Sequence, residues 1–362
     1  MTLSRLSLRS LALAGALVLA SCGDDDDNGP TTPSFDSEII VHFADDVVVP
    51  TYQNLATRMS ELDAAVNALA ADTTAAKLTA AQEAWFAARQ PWEQSEGFLF
   101  GPVDSFGYDP AMDSWPVNRS DLDAVLASND AFTPTYVATL SETQKGFHTV
   151  EYLLFGDGRA KKPEDFTPRQ FDYLKAIAAE LKSVSAALSD SWAKSVDGRQ
   201  PYRDVLANAG QQGNSAYTSV SSAAQEMVGG MIGILDEVAN GKIADPYDAK
   251  DPELVESQFA YNSLSDFSNN IRSVQNAYLG HLQGQAAKGK SFSDFVKAEN
   301  AELDARVQKE LADAITALSK IPEPFRTSIT DPASADEIEA AQAAIRKAQT
   351  TFENDIRPLT TR

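Results

Sequence analysis

Apolar residues recur at helical spacing along most of this 362-residue chain, and alternating β-branched stretches are nearly absent. Residues three and four positions apart share one face of an α-helix, so this spacing predicts amphipathic helices. Residues 39–49 form the one β-rich stretch, and the acids within it leave a helix equally open. The pattern therefore predicts an all-α protein.

Most of the chain is predicted to be helical, with one long interruption. Residues 98–120 are rich in glycine, proline and aromatic side chains, which predicts an ordered loop. Ordered loops of this length are commonly functional. The longer predicted helices cover residues 36–71 with a kink near Pro50, 74–97, 168–196, 201–240, 254–285, 292–320 and 335–356.

Residues 80–93 and 340–353 have the same spacing of alanine, glutamine and a final aromatic–glutamate pair. An internal duplication would explain this repeat, and so would chance similarity between two alanine-rich helices. A duplication would give two helical bundles with a shared site at their interface. The predicted domains are an N-terminal one at residues 35–165 and a C-terminal one at residues 166–362.

Residues 1–22 have the features of an export signal. Arg5 and Arg9 precede an apolar run of residues 11–20, which is shorter than the roughly 20 residues of a membrane-spanning helix. The segment ends in Leu-Ala-Ser-Cys22, which fits a bacterial lipobox, and Cys22 is the only cysteine. We expect a lipid on Cys22. The alternative is a chance cysteine after an ordinary secretory signal.

Residues 23–34 are acidic and, apart from two prolines, contain no apolar side chain, which predicts a disordered tether. Together with Cys22 they predict an exported lipoprotein, anchored at the outer membrane or facing the periplasm. The net charge of −22 makes a nucleic-acid partner improbable, because phosphate binding needs basic patches. An acidic surface would attract cations instead.

His148, one of only three histidines, stands three residues before Glu151 in an apolar run that begins at Gly146. On a helix this spacing places both side chains on one face. A site with one imidazole and several carboxylates suits iron, manganese, calcium or zinc. The alternative is a core histidine bonded to a backbone carbonyl. The two-histidine pattern of zincin peptidases is absent.

Arg89, Glu93 and Glu96 fall at i, i+4 and i+7 and therefore on one helix face, among tryptophans and phenylalanines. A solvated face with a weak ion pair is one explanation. Partial burial is the other, and it would require these charges to pair or to bind a ligand. Asp266 and Asn270 lie in a second unusually polar stretch, where a mid-helix asparagine suggests hydrogen bonds between domains.

These segments together resemble the imelysin-like family of bacterial exported proteins, from about Phe35 to the end of the chain. The matching pieces are the block from Arg89 to Pro102, the Trp115-Pro116 pair, the Gly-x-His-x-x-Glu motif at 146–151 and the stretch 256–271. The resemblance implies an all-helical fold of two bundle-like domains with a shared site near the motif. It implies His148 and Glu151 at that site, with Glu96 and Arg89 nearby.

The family includes proteins named as peptidases, iron-regulated proteins and relatives of periplasmic iron-uptake components. The leading hypothesis is therefore an envelope lipoprotein that binds iron or an iron complex for uptake or handling, with iron-uptake components of the envelope as partners. Zinc or calcium remain open as the ion. His148, Glu151 and Glu96 would be the metal ligands, and Arg89, Glu93, Asp266 and Asn270 would contact the ligand.

Two other functions stay open. One is a metallopeptidase that uses the same residues, with Glu151 or Glu96 as its general base. The other is a non-catalytic scaffold that holds a polypeptide or a glycan between the two bundles.

Overall fold

Helices make up nearly all the regular structure of residues 35–361, the part of the chain that the computed structural model describes. An isolated bridge between Val196 and Arg199 is the one extended pairing among them. The all-α prediction is confirmed. The expected export signal at 1–22, the lipid on Cys22 and the tether at 23–34 lie outside the described residues. No helix in the described part is long and apolar enough to cross a bilayer.

The first half of the described chain contains nine α-helices. They are α1 (Ser37–His42), α2 (Val49–Ala71), α3 (Ala75–Glu93), α4 (Pro102–Ser105), α5 (Tyr108–Asp113), α6 (Arg119–Ala127), α7 (Pro134–Thr139), α8 (Gly146–Phe155) and α9 (Pro168–Ala193). Short 3₁₀ turns occupy Glu96–Phe98, Glu142–Gln144, Asp157–Arg159 and Pro163–Asp165, and a π-helical turn occupies Phe43–Val48.

The second half contains eight more α-helices among the described residues. They are α10 (Tyr202–Ala207), α11 (Val220–Asp236), α12 (Ala244–Ala249), α13 (Ser263–Leu279), α14 (Phe292–Glu299), α15 (Ala301–Leu318), α16 (Phe325–Ser328) and α17 (Ala335–Thr351). π-helical turns occupy Glu237–Lys242 and Phe352–Ile356, and 3₁₀ turns occupy Pro332–Ser334 and Arg357–Thr361.

The helices pack through apolar faces that the spacing predicted. On α3, the side chains of Leu78, Ala81, Trp85, Ala88 and Trp92 are buried, at intervals of three and four residues. This stripe faces α2 and α8, and α2 also packs against α9. In the second half α15 packs against α17, and α13 lies against α3, α11 and α15. Helix α13 therefore connects the two halves of the sequence.

The repeated sequences lie on α3 and on the segment that begins with α17, and each of these helices packs against a preceding long helix. The described residues fall in one compact unit, Ser34–Arg362. An internal duplication, the domains at 35–165 and 166–362, and a site at their interface stay predictions.

Residues 39–49 are helical, which excludes the strand alternative. They run through α1 and the π-helical turn Phe43–Val48 into α2. Pro50 stands at the start of α2, where a missing N–H is tolerated. Where a kink was expected near Pro50, the chain forms a π-helical turn directly before α2.

Several predicted elements differ from the structure, and three of them lie near the site or on the helices that form it. The loop at 98–120 contains α4 and α5. The helix predicted at 201–240 is broken at 208–219, where Gly210 and Gly213 have φ of +79° and +93°. The helix predicted from 254 begins only at Ser263, because Ser257 and Tyr261 have φ of +52° and +58° and interrupt helical geometry.

Candidate functional site

A fully buried arginine lies at the centre of a cluster of acids. Arg89, on the last turn but one of α3, forms ion pairs with Glu93 and Asp113, and its Nη2 lies 2.9 Å from Glu256 Oε1. Its Nε lies 3.6 Å from Asp266 Oδ1. Burial opposes the charge, but these carboxylates outweigh it and raise the pKa of Arg89 well above its usual value. The guanidinium therefore stays charged.

His148 and Glu151 meet on one face of α8, as their spacing predicts. The Nδ1–H of His148 donates to Glu151 Oε2 at 2.9 Å. Glu151 Oε1 accepts hydrogen bonds from the backbone amides of Phe259 and Ala260, at 2.8 and 2.7 Å. Both oxygens of Glu151 are thus engaged by protein groups. Glu151 fixes the orientation of the imidazole ring and directs its other nitrogen, Nε2, toward the acids.

The Nε2 atom of His148 faces two carboxylates from other elements. It lies 3.1 Å from Asp113 Oδ1 and 3.9 Å from Glu256 Oε1. It makes no well-directed hydrogen bond within the described structure. Burial disfavours a charged ring, but Asp113 and Glu151 outweigh this and raise the pKa of His148 to about 10. Without a metal, the ring is therefore an imidazolium at neutral pH.

Asp113 reaches the site because α5 ends directly against the start of α8. Gly146 has a φ of +83°, and a Cβ on it would come within 2.4 Å of the carbonyl oxygen of Met112. Only glycine fits this approach without strain. Asp113 Oδ2 accepts a hydrogen bond from Trp92 Nε1 at 2.5 Å. Burial raises the pKa of Asp113, but Arg89 and His148 hold it below the usual range.

A second buried cation, Lys242, lies beside this group at the end of the π-helical turn that follows α11. Its Nζ is 3.2 Å from Glu256 Oε2, 3.7 Å from Glu96 Oε2, and 3.8 Å from both Glu93 Oε2 and Glu237 Oε1. The side chain is buried. Burial lowers the pKa of Lys242, but the surrounding carboxylates raise it well above the usual value.

Acidic groups outnumber basic ones in this buried cluster. The buried cations are Arg89, Lys242 and His148 in its charged form. Burial raises the pKa of Asp266 to about 6 and the pKa values of Glu93 and Glu96 well above normal. The buried carboxyl groups of the cluster are six: Glu93, Glu96, Asp113, Glu151, Glu256 and Asp266. The cluster therefore has more carboxyl groups than cations, and either protons or a bound cation must balance the difference.

A small cavity opens onto this cluster. Its volume is about 190 Å³, and its walls include the carboxyl groups of Glu96, Asp109, Asp113 and Glu237 and the ring of Trp115. Burial and the charge of Asp113 raise the pKa of Asp109 to about 7. A wider cleft of about 570 Å³ shares Glu96 and Glu237 with it. The mouth of the site is thus acidic.

The position of Glu96 depends on a close contact between two glycines. A Cβ on Gly230 of α11 would come within 2.4 Å of the carbonyl oxygen of Gly97, whereas a Cβ on Gly229 would meet nothing within 4 Å. Gly97 N also donates to Ser273 Oγ of α13 at 2.8 Å. The 3₁₀ turn at Glu96–Phe98 is therefore held between α11 and α13.

The structure brings all seven predicted site residues into one cluster. Asn270 Nδ2 donates to Glu93 Oε2 at 2.6 Å. Asp266 accepts hydrogen bonds from Ser257 Oγ at 2.5 Å and from Asn262 Nδ2 at 2.7 Å. Asp266 and Asn270 are therefore engaged in hydrogen bonds with neighbouring side chains. The seven are Arg89, Glu93, Glu96, His148, Glu151, Asp266 and Asn270.

Sequence reasoning missed three central residues: Asp113, Lys242 and Glu256. Asp113 follows a run of aromatic and proline residues, and Glu256 begins the polar stretch before α13, so composition gave a weak signal for both. Lys242 had none, because it falls between the helices predicted at 201–240 and 254–285, whereas the chain forms the π-helical turn Glu237–Lys242 and then α12.

The donor atoms present fit a metal ion. Two groups of three side chains each bring one possible ligand atom per residue to within 4.8 Å of one another. The groups are Asp113, His148 and Glu256, and Glu93, Glu96 and Asp113. One imidazole nitrogen with carboxylate oxygens suits iron, manganese or zinc. To bind an ion through Nε2, His148 would release its proton and exchange its ion pair with Asp113, at 3.1 Å, for the metal. Arg89 and Lys242 are the resident cations with which an ion would share these carboxylates.

Comparison with known proteins identifies the family of this chain. A sequence profile described as imelysin, peptidase M75, matches residues 48–352. Iron-regulated protein A of Synechococcus elongatus is 35% identical over 351 residues, covering 96% of this chain and 92% of that protein.

Solved structures agree. A crystal structure named as an iron-regulated protein A precursor, from Parabacteroides distasonis, has a TM-score of 0.82 and 30% identity, covering 90% of this chain and 95% of that one. An imelysin-like protein from Psychrobacter arcticum shares the fold, with a TM-score of 0.71 at 14% identity, over 91% of this chain and 98% of that one. The predicted resemblance is confirmed, and the chain belongs to the imelysin family.

Proposed function

We propose that this protein binds a metal ion, iron in the first place, between Asp113, His148 and Glu256, and that it serves iron uptake or handling at the cell envelope. The observation that carries the proposal is the surplus of buried carboxylates around His148 Nε2. The names of the relatives, which describe iron-regulated proteins, favour iron over zinc, manganese or calcium.

Charge balance supports a bound cation. A buried carboxylate without compensation is strongly unfavourable, so it takes up a proton, pairs with a base or binds a metal. Arg89, Lys242 and His148 together compensate at most half of the six buried carboxyl groups. A divalent or trivalent ion would supply the missing positive charge at the point where Asp113, His148 and Glu256 converge.

The geometry gives each predicted metal residue a role. His148 would bind the ion through Nε2. Glu151 would orient and polarise the imidazole, because its oxygens are held by His148 and by two backbone amides. Glu96 lines the mouth cavity and also belongs to the second group of possible ligands, with Glu93 and Asp113. It would therefore contact the ion as the ion enters the site. Asp113 and Glu256 replace Glu151 and Glu96 as direct ligands in this proposal.

The sequence before the described residues supports an envelope location. The apolar run and the lipobox that ends at Cys22 are typical of bacterial lipoproteins. We expect Cys22 to carry a lipid that holds the protein at the outer membrane or on a periplasm-facing surface. A Cys22→Ser variant should move from the membrane fraction to the soluble periplasmic fraction, and retention in membranes would contradict the anchor.

A peptidase function fits the geometry less well. Glu151, one of the two predicted general bases, has both oxygens engaged. Chelator-sensitive cleavage of a casein substrate, lost in Glu151→Gln, would establish the peptidase instead.

The decisive experiment is elemental analysis of the purified protein from Phe35 onward. The sample would be loaded separately with Fe²⁺ without oxygen, Mn²⁺, Zn²⁺ and Ca²⁺, dialysed, and measured by inductively coupled plasma mass spectrometry. We expect near-stoichiometric iron, lost in His148→Ala and kept in the matched control His281→Ala. Equal metal in both variants would refute the assigned site. No metal in any sample would refute the function and favour a binding scaffold.

A further inference from the structure

The ammonium group of Lys242 lies where a second metal ion would bind. Four carboxylates surround it within 4 Å, three of them buried, and they come from α3, the 3₁₀ turn at Glu96–Phe98, the π-helical turn itself and the segment before α13. Carboxylate oxygens arranged in this way are the usual ligands of hard divalent cations.

We infer that Lys242 is a built-in substitute for a second metal ion, so that this chain binds one ion and a neutral residue at position 242 would let it bind two. The inference deepens the proposed function and rests on it for the first ion. The second ion would be a hard divalent cation at the position of the ammonium group, held by Glu93, Glu96 and Glu256.

Asp113 belongs to two groups of possible ligand atoms, one with His148 and Glu256 and one with Glu93 and Glu96. A carboxylate has two oxygens and about four acceptor positions, so one carboxylate can serve two cations. Metal ions in two-metal sites lie about 3.5–4 Å apart and commonly share ligands. Glu256 is shared in the same sense, since it contacts Lys242 Nζ at 3.2 Å and faces His148 Nε2 at 3.9 Å. The ligand arrangement is therefore that of a two-ion centre in which one position is filled by lysine.

The surroundings of Lys242 fit this role. It lies on a π-helical turn, a feature that is frequent at functional sites. The same turn carries Glu237, which lines the acidic mouth cavity. The Nζ also lies 5.0 Å from the centroid of the Trp115 ring, a favourable cation–π distance. Lys242 thus contacts both Glu237, an acid of the mouth cavity, and Glu256, an acid of the group formed with Asp113 and His148.

The test compares Lys242→Met and Lys242→Gln with Lys242→Arg, which keeps the positive charge. The compact unit from Ser34 onward contains the described core, so the chain from Phe35 is suitable. Each protein would be dialysed against MnCl₂, and bound Mn²⁺ per chain would be counted by inductively coupled plasma mass spectrometry. Electron paramagnetic resonance distinguishes an isolated Mn²⁺ from a spin-coupled pair. The double variant Lys242→Met/Glu96→Gln removes a ligand of the second position.

We expect one Mn²⁺ in the natural protein and in Lys242→Arg, two coupled ions in Lys242→Met and Lys242→Gln, and a return to one in the double variant. One ion in every variant would overturn the inference and leave the proposed function standing. No Mn²⁺ in the natural protein but one in Lys242→Met, lost in the double variant, would support the second position and leave the first to the iron loading described above. No Mn²⁺ in any protein would overturn the inference, whereas the proposed function fails only if iron loading fails too.

Folding gives an independent readout. If the two neutral variants unfold in metal-free buffer, Mn²⁺ should restore their helical circular dichroism, because the ion replaces the missing charge. Failure to fold even with Mn²⁺ would overturn the inference, since the ammonium would then do something that a metal ion cannot.

Discussion

Replacing Glu151 by glutamine isolates the orienting role of this residue from its charge. The backbone amides of Phe259 and Ala260 must still find an acceptor, so the amide oxygen of the glutamine would take the place of Oε1. Its NH₂ group would then donate a hydrogen bond to His148 Nδ1, so Nδ1 would have to be the unprotonated nitrogen of the ring. The proton of a neutral imidazole would move to Nε2, the nitrogen proposed to bind the metal.

Two effects follow, with different sizes. Metal affinity should fall by about 10–100-fold, the usual effect of losing a group that orients a metal-binding histidine. Hydrogen bonds to charged groups contribute about 1.5–3 kcal/mol and neutral ones about 0.5–1.5 kcal/mol, so three weakened bonds should lower the free energy of unfolding by roughly 3 kcal/mol. Relief of repulsion between the neighbouring acids would reduce this loss.

The assay combines a metal titration with urea unfolding, and ¹⁵N NMR of the histidine rings reports which nitrogen carries the proton. Glu142→Gln is the matched control, because Glu142 lies on an exposed turn just before α8. The reasoning is refuted if Glu151→Gln binds metal with an unchanged Kd while His148→Ala does not bind it.

The remaining predictions concern stability. The metal-free protein should lose stability as the pH rises, because the folded pKa of His148, about 10, lies above its unfolded value of about 6.5. The stabilisation by charged His148 is complete below pH 6.5 and is lost as the pH rises through 10. A higher urea midpoint at pH 9 than at pH 6 would contradict this prediction. Gly230→Ala should destabilise by about 1–3 kcal/mol through its clash with the 3₁₀ turn, whereas Gly229→Ala should stabilise by about 0.5–1 kcal/mol in thermal unfolding; equal effects would disprove the contact. Asn270→Ala should lower the unfolding free energy by about 1–3 kcal/mol, because it removes one hydrogen-bond donor from the buried carboxyl group of Glu93, and Asn269→Ala, at a less buried position, should have a smaller effect.

The local part of the site could be predicted from the sequence because it follows helical spacing. His148 and Glu151 are three residues apart, and Arg89 and Glu93 four, so one periodicity argument placed each pair on one face. The surrounding tryptophans indicated burial. The side chains that complete the site come from elements without such a period.

Asp113 ends a helix of six residues inside a predicted loop, and Glu256 belongs to a segment predicted as helix. That segment turns because Ser257 and Tyr261 adopt positive φ, and neither residue type signals this conformation. Lys242 reaches the site through a π-helical turn, which no apolar pattern marks. Tertiary contacts decide these conformations, so a single sequence gave no means of predicting them.

The contacts that complete the site join parts of the chain that are made far apart in time. Arg89 meets Glu256 across 167 residues, and Glu151 meets the amide of Phe259 across 108. Closing loops of this length is unfavourable until many native contacts exist, so these contacts should form late in folding. A nascent or partly unfolded chain would have no converged set of metal-binding atoms. Only the completely folded protein would then bind the ion. Bound metal would therefore distinguish the folded protein from its unfolded precursors wherever free metal is present.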